Sequence, residues 1–264
     1  MPVEVETLAI GQPDGTVRVA RLTPGEGAAR GDLVLLHQGL GSITQWGTFS
    51  RALVEATGCR VIAYDRLGHG HSDFPEDERG DFLEREAWER LPALLDALGI
   101  KRPILYGHSD GGTIALLHAS RHSGHLAGVV SEAAHVISEV VETGGVEALR
   151  TDFENGDLAA KLARHHPRHL ERMFARWADF WQAPGRGAWT MLDRLATIGC
   201  PMLVLQGDAD EHGSLRQVHE IVDRVSGPVG RHILPGCGHS PHREQPEVVL
   251  ATVVPFVGGI VGGG

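Results

Sequence analysis

Six short apolar runs separated by helical patterns govern what this chain can fold into. They are "DLVLLHQ" (32–38), "CRVIAYD" (59–65), "RPILYG" (102–107), "LAGVVSEA" (126–133), "CPMLVLQGD" (200–208) and "GRHILPG" (230–236). Strands that are apolar on both faces and spaced by helices belong to a parallel sheet covered on both sides; a sheet with one wet face would alternate instead. Helical patterns fill the gaps at 44–56, at 82–98, from Ser109 onward and at 215–225. The expected class is α/β. With 264 residues, 42% of them hydrophobic, and no internal repeat, the chain can bury one large core.

The alternation stops between 136 and 197. There Leu158, Leu162, Leu170, Phe174, Trp177 and Trp181 recur mostly at helical spacing, and Pro167 imposes a kink or a break. The organisation this implies is a core over 1–135, a helical insertion over 136–197 lying across the loop edge of the sheet, and the rest of the core over 198–264. The insertion holds three of the five tryptophans and three of the seven phenylalanines. Two readings stay open: an ordinary apolar core for a small subdomain, or a substrate lid whose aromatic residues face a pocket.

One motif carries chemistry. Gly107-His108-Ser109-Asp110-Gly111 matches G-x-S-x-G and falls after a strand and at the first turn of a helix, where such a turn would expose the serine hydroxyl. A serine hydroxyl is a weak nucleophile and needs a base that is itself oriented by an acid. The candidate base is His239 in "PGCGHSPHREQPE", after the last strand; behind it Ser240 can cap the next helix, with Pro241 at its first position. The candidate acid is Asp210 in "QGDADEHG", flanked by Asp208 and Glu211. The rival acid is Glu132, after the sixth strand. The order Ser109, Asp210, His239 is the one expected of a sheet-based triad.

Composition excludes several other functions. A formal net charge of −10 argues against a nucleic-acid or anionic-membrane partner. The N-terminus lacks a basic start followed by an apolar run, and no segment reaches the ~18 apolar residues of a membrane span. Cys59, Cys200 and Cys237 are odd in number and widely spaced, as expected of small buried residues in a reducing, cytoplasmic compartment. The tail "VGGIVGGG" (257–264) reads as a loose end. Among the sixteen histidines, His69 and His71 with Asp73 superficially resemble a metal motif, and His165 with His169 has ligand spacing. No histidine follows Asp73 as that motif requires, and Pro167 disrupts the second pair, so no metal or other cofactor is expected. His37, His118, His122, His125 and His135 read as ordinary surface or packed residues.

Five segments, "LLHQGLGS" (35–42), "YDRLGHGHSD" (64–73), "GHSDGG" (107–112), "QGDADEHG" (206–213) and "GCGHSPHREQP" (236–246), resemble those of the α/β-hydrolase family, in its order and over nearly the whole chain. The resemblance implies an eight-stranded, mostly parallel sheet, a helical cap after strand 6 and a Ser109-Asp210-His239 triad. It also implies an oxyanion hole made by the Asp110 N–H and a second N–H, from Gly39 first or Leu40 second; Gln38 stands where the family usually has a glycine. Leu40, His108, Trp177 and Trp181 are the candidate pocket residues. Asp110 has two readings: an acid favoured by the helix dipole, or a carboxylate that binds a polar substrate group or repels anionic ones. The expected activity is cofactor-free hydrolysis of a small, largely apolar or aromatic ester or lactone. Carbon–carbon bond, thioester or enol-lactone hydrolysis on the same fold is the alternative, and a non-catalytic ligand-binding protein the alternative of another class. The expected partner is a small molecule, with a homodimer left open.

Overall fold

The computed structural model describes residues 2–76 and 82–262. The six apolar runs become strands: β3 (Asp32–Leu36), β4 (Arg60–Tyr64), β5 (Ile104–His108), β6 (Gly128–Glu132) and β7 (Met202–Gly207), buried along most of their length, and the edge strand β8 (Val229–Leu234), buried only at Leu234. All six run parallel, and a hairpin of β1 (Val3–Gln12) and β2 (Gly15–Pro24) joins antiparallel to β4, giving the order β1-β2-β4-β3-β5-β6-β7-β8. β3 therefore has its successors on both sides. At such a reversal the loops leaving neighbouring strands diverge and open a crevice beyond the strand ends.

Two apolar layers cover the sheet. On one face Leu91, Leu94, Ile114, Leu117, Val218 and Ile221 of the covering helices pack on Val34, Leu36, Ile62 and Leu105. On the other, Phe49 and Leu53 of the helix Phe49–Thr57 and Val249, Val253 and Val257 of the helix Pro246–Val261 pack on Leu33, Leu35 and Tyr106. This double cover is why the strands read as unbroken apolar runs.

Between β6 and β7 the chain forms the helices Val140–Asn155, Leu158–Ala163, Leu170–Gln182 and Leu192–Leu195, and a bridge from Ile137 to Thr190 closes their base. Pro167 lies in the break between the second and third. Phe174, Phe180 and Trp181 are buried, Phe153 stacks on Phe174 with ring centroids 3.9 Å apart, and these residues are continuous with the apolar layer on the first face of the sheet.

Two expectations need correction. The tail is helical to Val261, because Val249, Val253 and Val257 recur at a spacing of four and bury one face; burial outweighs the glycines' poor propensity. Gly263 and Gly264 lie outside the described residues. The stretch 44–56 is a 3-10 turn, Ile43–Trp46, followed by the helix Phe49–Thr57, with Gly47 at φ +52 between them.

Candidate active site

β5 delivers Ser109 into a turn that few sequences permit. Ser109 has φ +54 and ψ −121, a conformation costing about 1–3 kcal/mol that persists only where the surroundings impose it. A Cβ on Gly107 would sit 2.1 Å from the Gly111 carbonyl oxygen, and one on Gly111 would sit 1.9 Å from that of Leu36 in β3. Hydrogen alone fits at either position. The Ser109 N–H donates to the Glu132 carbonyl at 2.9 Å, pinning the elbow to β6.

The three sequence-predicted residues meet at this elbow. The Ser109 hydroxyl lies 2.9 Å from His239 Nε2, and His239 Nδ1 lies 2.9 and 3.0 Å from the two oxygens of Asp210. A carboxylate facing Nδ1 keeps the proton there and leaves the Nε2 lone pair toward the serine. Burial pushes the Asp210 carboxyl up, but its bond to His239, the imidazole charge and the His212 N–H outweigh this and hold it below the ordinary range. The His212 and Gly213 N–H groups, at 2.8 and 3.2 Å, fix its plane.

The rival acid points elsewhere. Glu132, fully buried, takes His242 Nδ1 at 2.6 Å and the Tyr106 hydroxyl, and so does not serve His239. Burial raises its carboxyl, yet the His242 charge and hydrogen bond bring it down to about 2. His108, Glu132 and His242 bring possible metal-ligating atoms within 4.8 Å of one another. Hydrogen bonds already occupy the Glu132 oxygens and His242 Nδ1, while His108 Nε2 donates to the His239 carbonyl at 2.7 Å. Ser240 precedes the helix Pro241–Glu244 without a side-chain capping bond; Glu244 instead accepts from the Gly238 and Ser240 N–H groups at 2.7 and 2.9 Å, holding the histidine loop from its far end. The other histidine pairs do not converge on a common point. His69 bonds to the Gly39 carbonyl, Asp73 to the Thr16 N–H and Arg168, His165 to Thr44, and His169 packs on Phe74.

Above the elbow opens a cavity of about 440 Å³ lined by Ser109, His239, Asp110, Gly39, Trp177 and Trp181, among others; Leu40 and His108 also reach it. Asp110 is no solvated first-turn acid. It is buried, and its Oδ2 has no hydrogen-bond partner among the described residues. Burial raises its carboxyl, against the opposing pull of Arg66, His135, Arg186 and the Trp181 indole. Trp177 Nε1 also lacks a partner among them, and a Cβ on Gly39 would come within 2.1 Å of that nitrogen and 2.7 Å of Asp110 Oδ2.

The profile of the alpha/beta hydrolase family matches residues 33–252, from β3 into the last helix. The chain is an α/β hydrolase. Over 95 residues it is 36% identical to the proline iminopeptidase of Lactobacillus helveticus, a stretch covering 36% of this chain and 32% of that protein. Over 92 residues it is 38% identical to the 2-hydroxymuconate semialdehyde hydrolase of Pseudomonas sp. strain CF600, covering 34% of this chain and 31% of that one. These matches thus span about a third of each curated relative's length. The enol-lactonase of Burkholderia xenovorans LB400 shares the fold, with a TM-score of 0.72 at 21% identity over 95% of this chain and 99% of that one.

Residues with no local sequence signal shape this α/β hydrolase's loop after β3. Four successive carbonyls, of His37, Gln38, Gly39 and Leu40, each face a donor from elsewhere in the chain. Arg66, fully buried, donates Nη1 to His37 at 2.5 Å and Nη2 to Gln38 at 2.9 Å; His69 Nε2 reaches Gly39 at 2.8 Å; His166 Nε2 reaches Leu40 at 3.1 Å. In a trans peptide the N–H points opposite to the carbonyl before it. Holding the Gln38 and Gly39 carbonyls therefore turns the Gly39 and Leu40 N–H groups the other way. His166 accepts the Gly70 N–H on Nδ1 at 2.9 Å, which fixes its proton on Nε2. Burial keeps His37, His69 and His166 neutral, the last with its pKa lowered to about 4. Arg66 and His69 stand in "YDRLGHGHSD", a segment that resembles the family's, but nothing in that stretch marks either as a donor to the loop after β3.

Proposed function

We propose that this protein is a serine hydrolase that cleaves small carboxylic esters or lactones and needs no cofactor for the step. The observation that carries the reading is the unbroken hydrogen-bonded chain Asp210–His239–Ser109 opening into a cavity of ligand size. In the proposed reaction His239 Nε2 takes the Ser109 proton as Oγ bonds to the carbonyl carbon. The N–H groups of Asp110 and Gly39 receive the oxyanion. His239 then gives its proton to the departing alkoxide, leaving an acyl-serine. Water attacks that ester, passes a proton to His239, and the acid leaves as the proton returns to Ser109. Each backbone donor to the oxyanion contributes about 3 kcal/mol of barrier lowering.

The names of the similar proteins span an iminopeptidase, a semialdehyde hydrolase and an enol-lactonase, so the scissile bond is argued from the site. Asp110 favours a second feature of the substrate. A buried carboxylate beside the nucleophile, with one oxygen unpartnered among the described residues, is matched by a hydrogen-bond donor, an amine above all, near the scissile carbonyl. An amide with a terminal amine or imine is accordingly the second candidate substrate.

Intact mass after treatment with a fluorophosphonate tests the nucleophile. Ser109 Oγ bonds to phosphorus, fluoride leaves and His239 takes the proton. One adduct on the wild type, absent from Ser109→Ala and unaffected by EDTA, is the expected result. An unlabelled wild type that also turns over no ester, lactone or amide overturns the reading and favours a ligand-binding protein.

A further inference from the structure

Of the described residues lining the active-site cavity, three are exposed, and all three are cations: Lys161, Arg164 and Arg243. Among the described residues the other side chains of the lining are buried or half-buried, and Asp110, next to the nucleophile, supplies the one carboxylate. Exposed residues of a cavity stand at its mouth, so the site is acidic at its base and basic at its rim. The two sides of that rim come from distant parts of the chain. Lys161 and Arg164 belong to the end of the helix Leu158–Ala163, between β6 and β7, and Arg243 to the helix Pro241–Glu244 that follows His239.

Such a grouping is unexpected on a chain with 34 acids, 24 lysines and arginines and a net charge of −10. Several cations of this acidic surface have carboxylate partners, as Arg21, Arg60, Arg150 and Arg216 do. Among the described residues no carboxylate lies within ion-pair distance of Lys161, Arg164 or Arg243. Glu244, adjacent to Arg243, is instead bound to the backbone N–H groups of Gly238 and Ser240. His165, next to Arg164 in the chain, also lines the cavity, its Nδ1 2.7 Å from Thr44 Oγ1. Its pKa is lowered by burial first and then by the positive charges of Arg243 and Arg164. A cleft with low-dielectric walls concentrates such a field and draws in the opposite charge.

We propose that the mouth is an anion subsite: the substrate carries a carboxylate or phosphate remote from the scissile carbonyl, received by Lys161, Arg164 and Arg243. The subsite rests on the hydrolase reading for the position of the scissile bond. A rim contact made equally in ground and transition states lowers KM and leaves kcat alone.

The test uses sets of esters that share an acyl group and a leaving-group skeleton and end in a carboxylate, a phosphate or a neutral amide, with the terminus placed on the alcohol side in one set and on the acyl side in another. Two quantities are read: kcat/KM with the wild type, and equilibrium binding of each member to Ser109→Ala. The expected result is a preference for an anionic terminus of about tenfold or more, carried by KM and abolished at about 0.5 M salt. The carboxylate and phosphate arms tell which anion the rim takes. The ratio of anionic to neutral member, read within one protein, falls toward one in Arg164→Gln/Arg243→Gln, and persists in Arg51→Gln, an exposed cation outside the cavity. Equal use and equal binding of anionic and neutral members overturns the subsite, as does a preference that survives the double variant. If no member is turned over while Ser109→Ala binds the anionic ones better, the hydrolase reading fails and the subsite stands.

Discussion

Buried neutral histidines make this protein lose stability in mild acid, above the pH at which ordinary carboxylates titrate. Burial lowers His108 to about 3, His118 to about 4 and His166 to about 4, from an ordinary value of 6.5. A group whose folded pKa is depressed contributes stability that is complete above its unfolded pKa and lost as pH falls toward the folded one. The window is therefore pH 6.5 down to 4. Between about pH 7.5 and about pH 5.5 the unfolded chain gains nearly a full proton at each position and the folded chain almost none, a loss of a little over 1 kcal/mol each and about 4 kcal/mol for three. His37 and His69, also lowered by burial, act in the same direction. Since a domain of this kind has about 5–15 kcal/mol in all, urea unfolding at the two pH values should give clearly separated midpoints. His118 lies outside the active-site cavity, on the Ala87 carbonyl, so His118→Gln should flatten the pH slope by about one proton without removing Ser109 labelling. Midpoints that stay level down to about pH 5 would refute the reasoning.

Three further outcomes are expected. Asp110→Asn lowers kcat/KM for substrates with an amine near the scissile carbonyl more than for neutral esters, and parallel losses across both classes would count against the amine reading. Gly111→Ala, whose Cβ would meet the Leu36 carbonyl oxygen at 1.9 Å, pushes the helix off β3 and destabilises by about 2–4 kcal/mol in urea titration; a wild-type midpoint would refute the packing account. His166→Ala lowers kcat by about tenfold or more with little change in KM, and His166→Gln, which keeps a donor and an acceptor, restores part of it; an unchanged kcat would show that the loop after β3 holds its shape without the helical insertion.

What the sequence disclosed was whatever a short stretch of chain determines. Ser109 is legible because the glycines that relieve the crowding of its turn, Gly107 and Gly111, stand two residues either side of it. His239 and Asp210 are legible because each follows a run whose apolarity marks a strand, and strand ends place loops. The hairpin of β1 and β2 was illegible to the same method: β1 is an edge strand and "VRVARL" buries only alternate residues such as Val17 and Val19, so neither resembles a strand covered on both faces. The set around the loop after β3 was illegible for another reason. Arg66 and His166 reach it across 28 and 126 residues, and nothing local distinguishes a histidine that will orient a carbonyl from one that will meet water.

The same distant contacts bear on how Asp110 is to be read. The buried guanidinium of Arg66 gives Nη1 and Nη2 to two carbonyls, which accept its hydrogen bonds without neutralising its charge, and its Nε has no partner among the described residues. Burial works against the charge, and Asp110 first, then Glu86, answer it electrostatically. Asp110 is thus the leading counter-charge of the residue that orients the Gln38 carbonyl, and with it the opposed Gly39 N–H, as well as the carboxylate facing the cavity. Removing its charge must act twice: once through Arg66 on every substrate alike, and once directly on substrates that bond to it. The first effect lowers all rates by a common factor, while the second changes their ratio. A ratio of amine-bearing to neutral substrate that falls in Asp110→Asn, beyond the common loss, assigns the carboxylate to recognition; a common loss alone assigns it to the loop after β3.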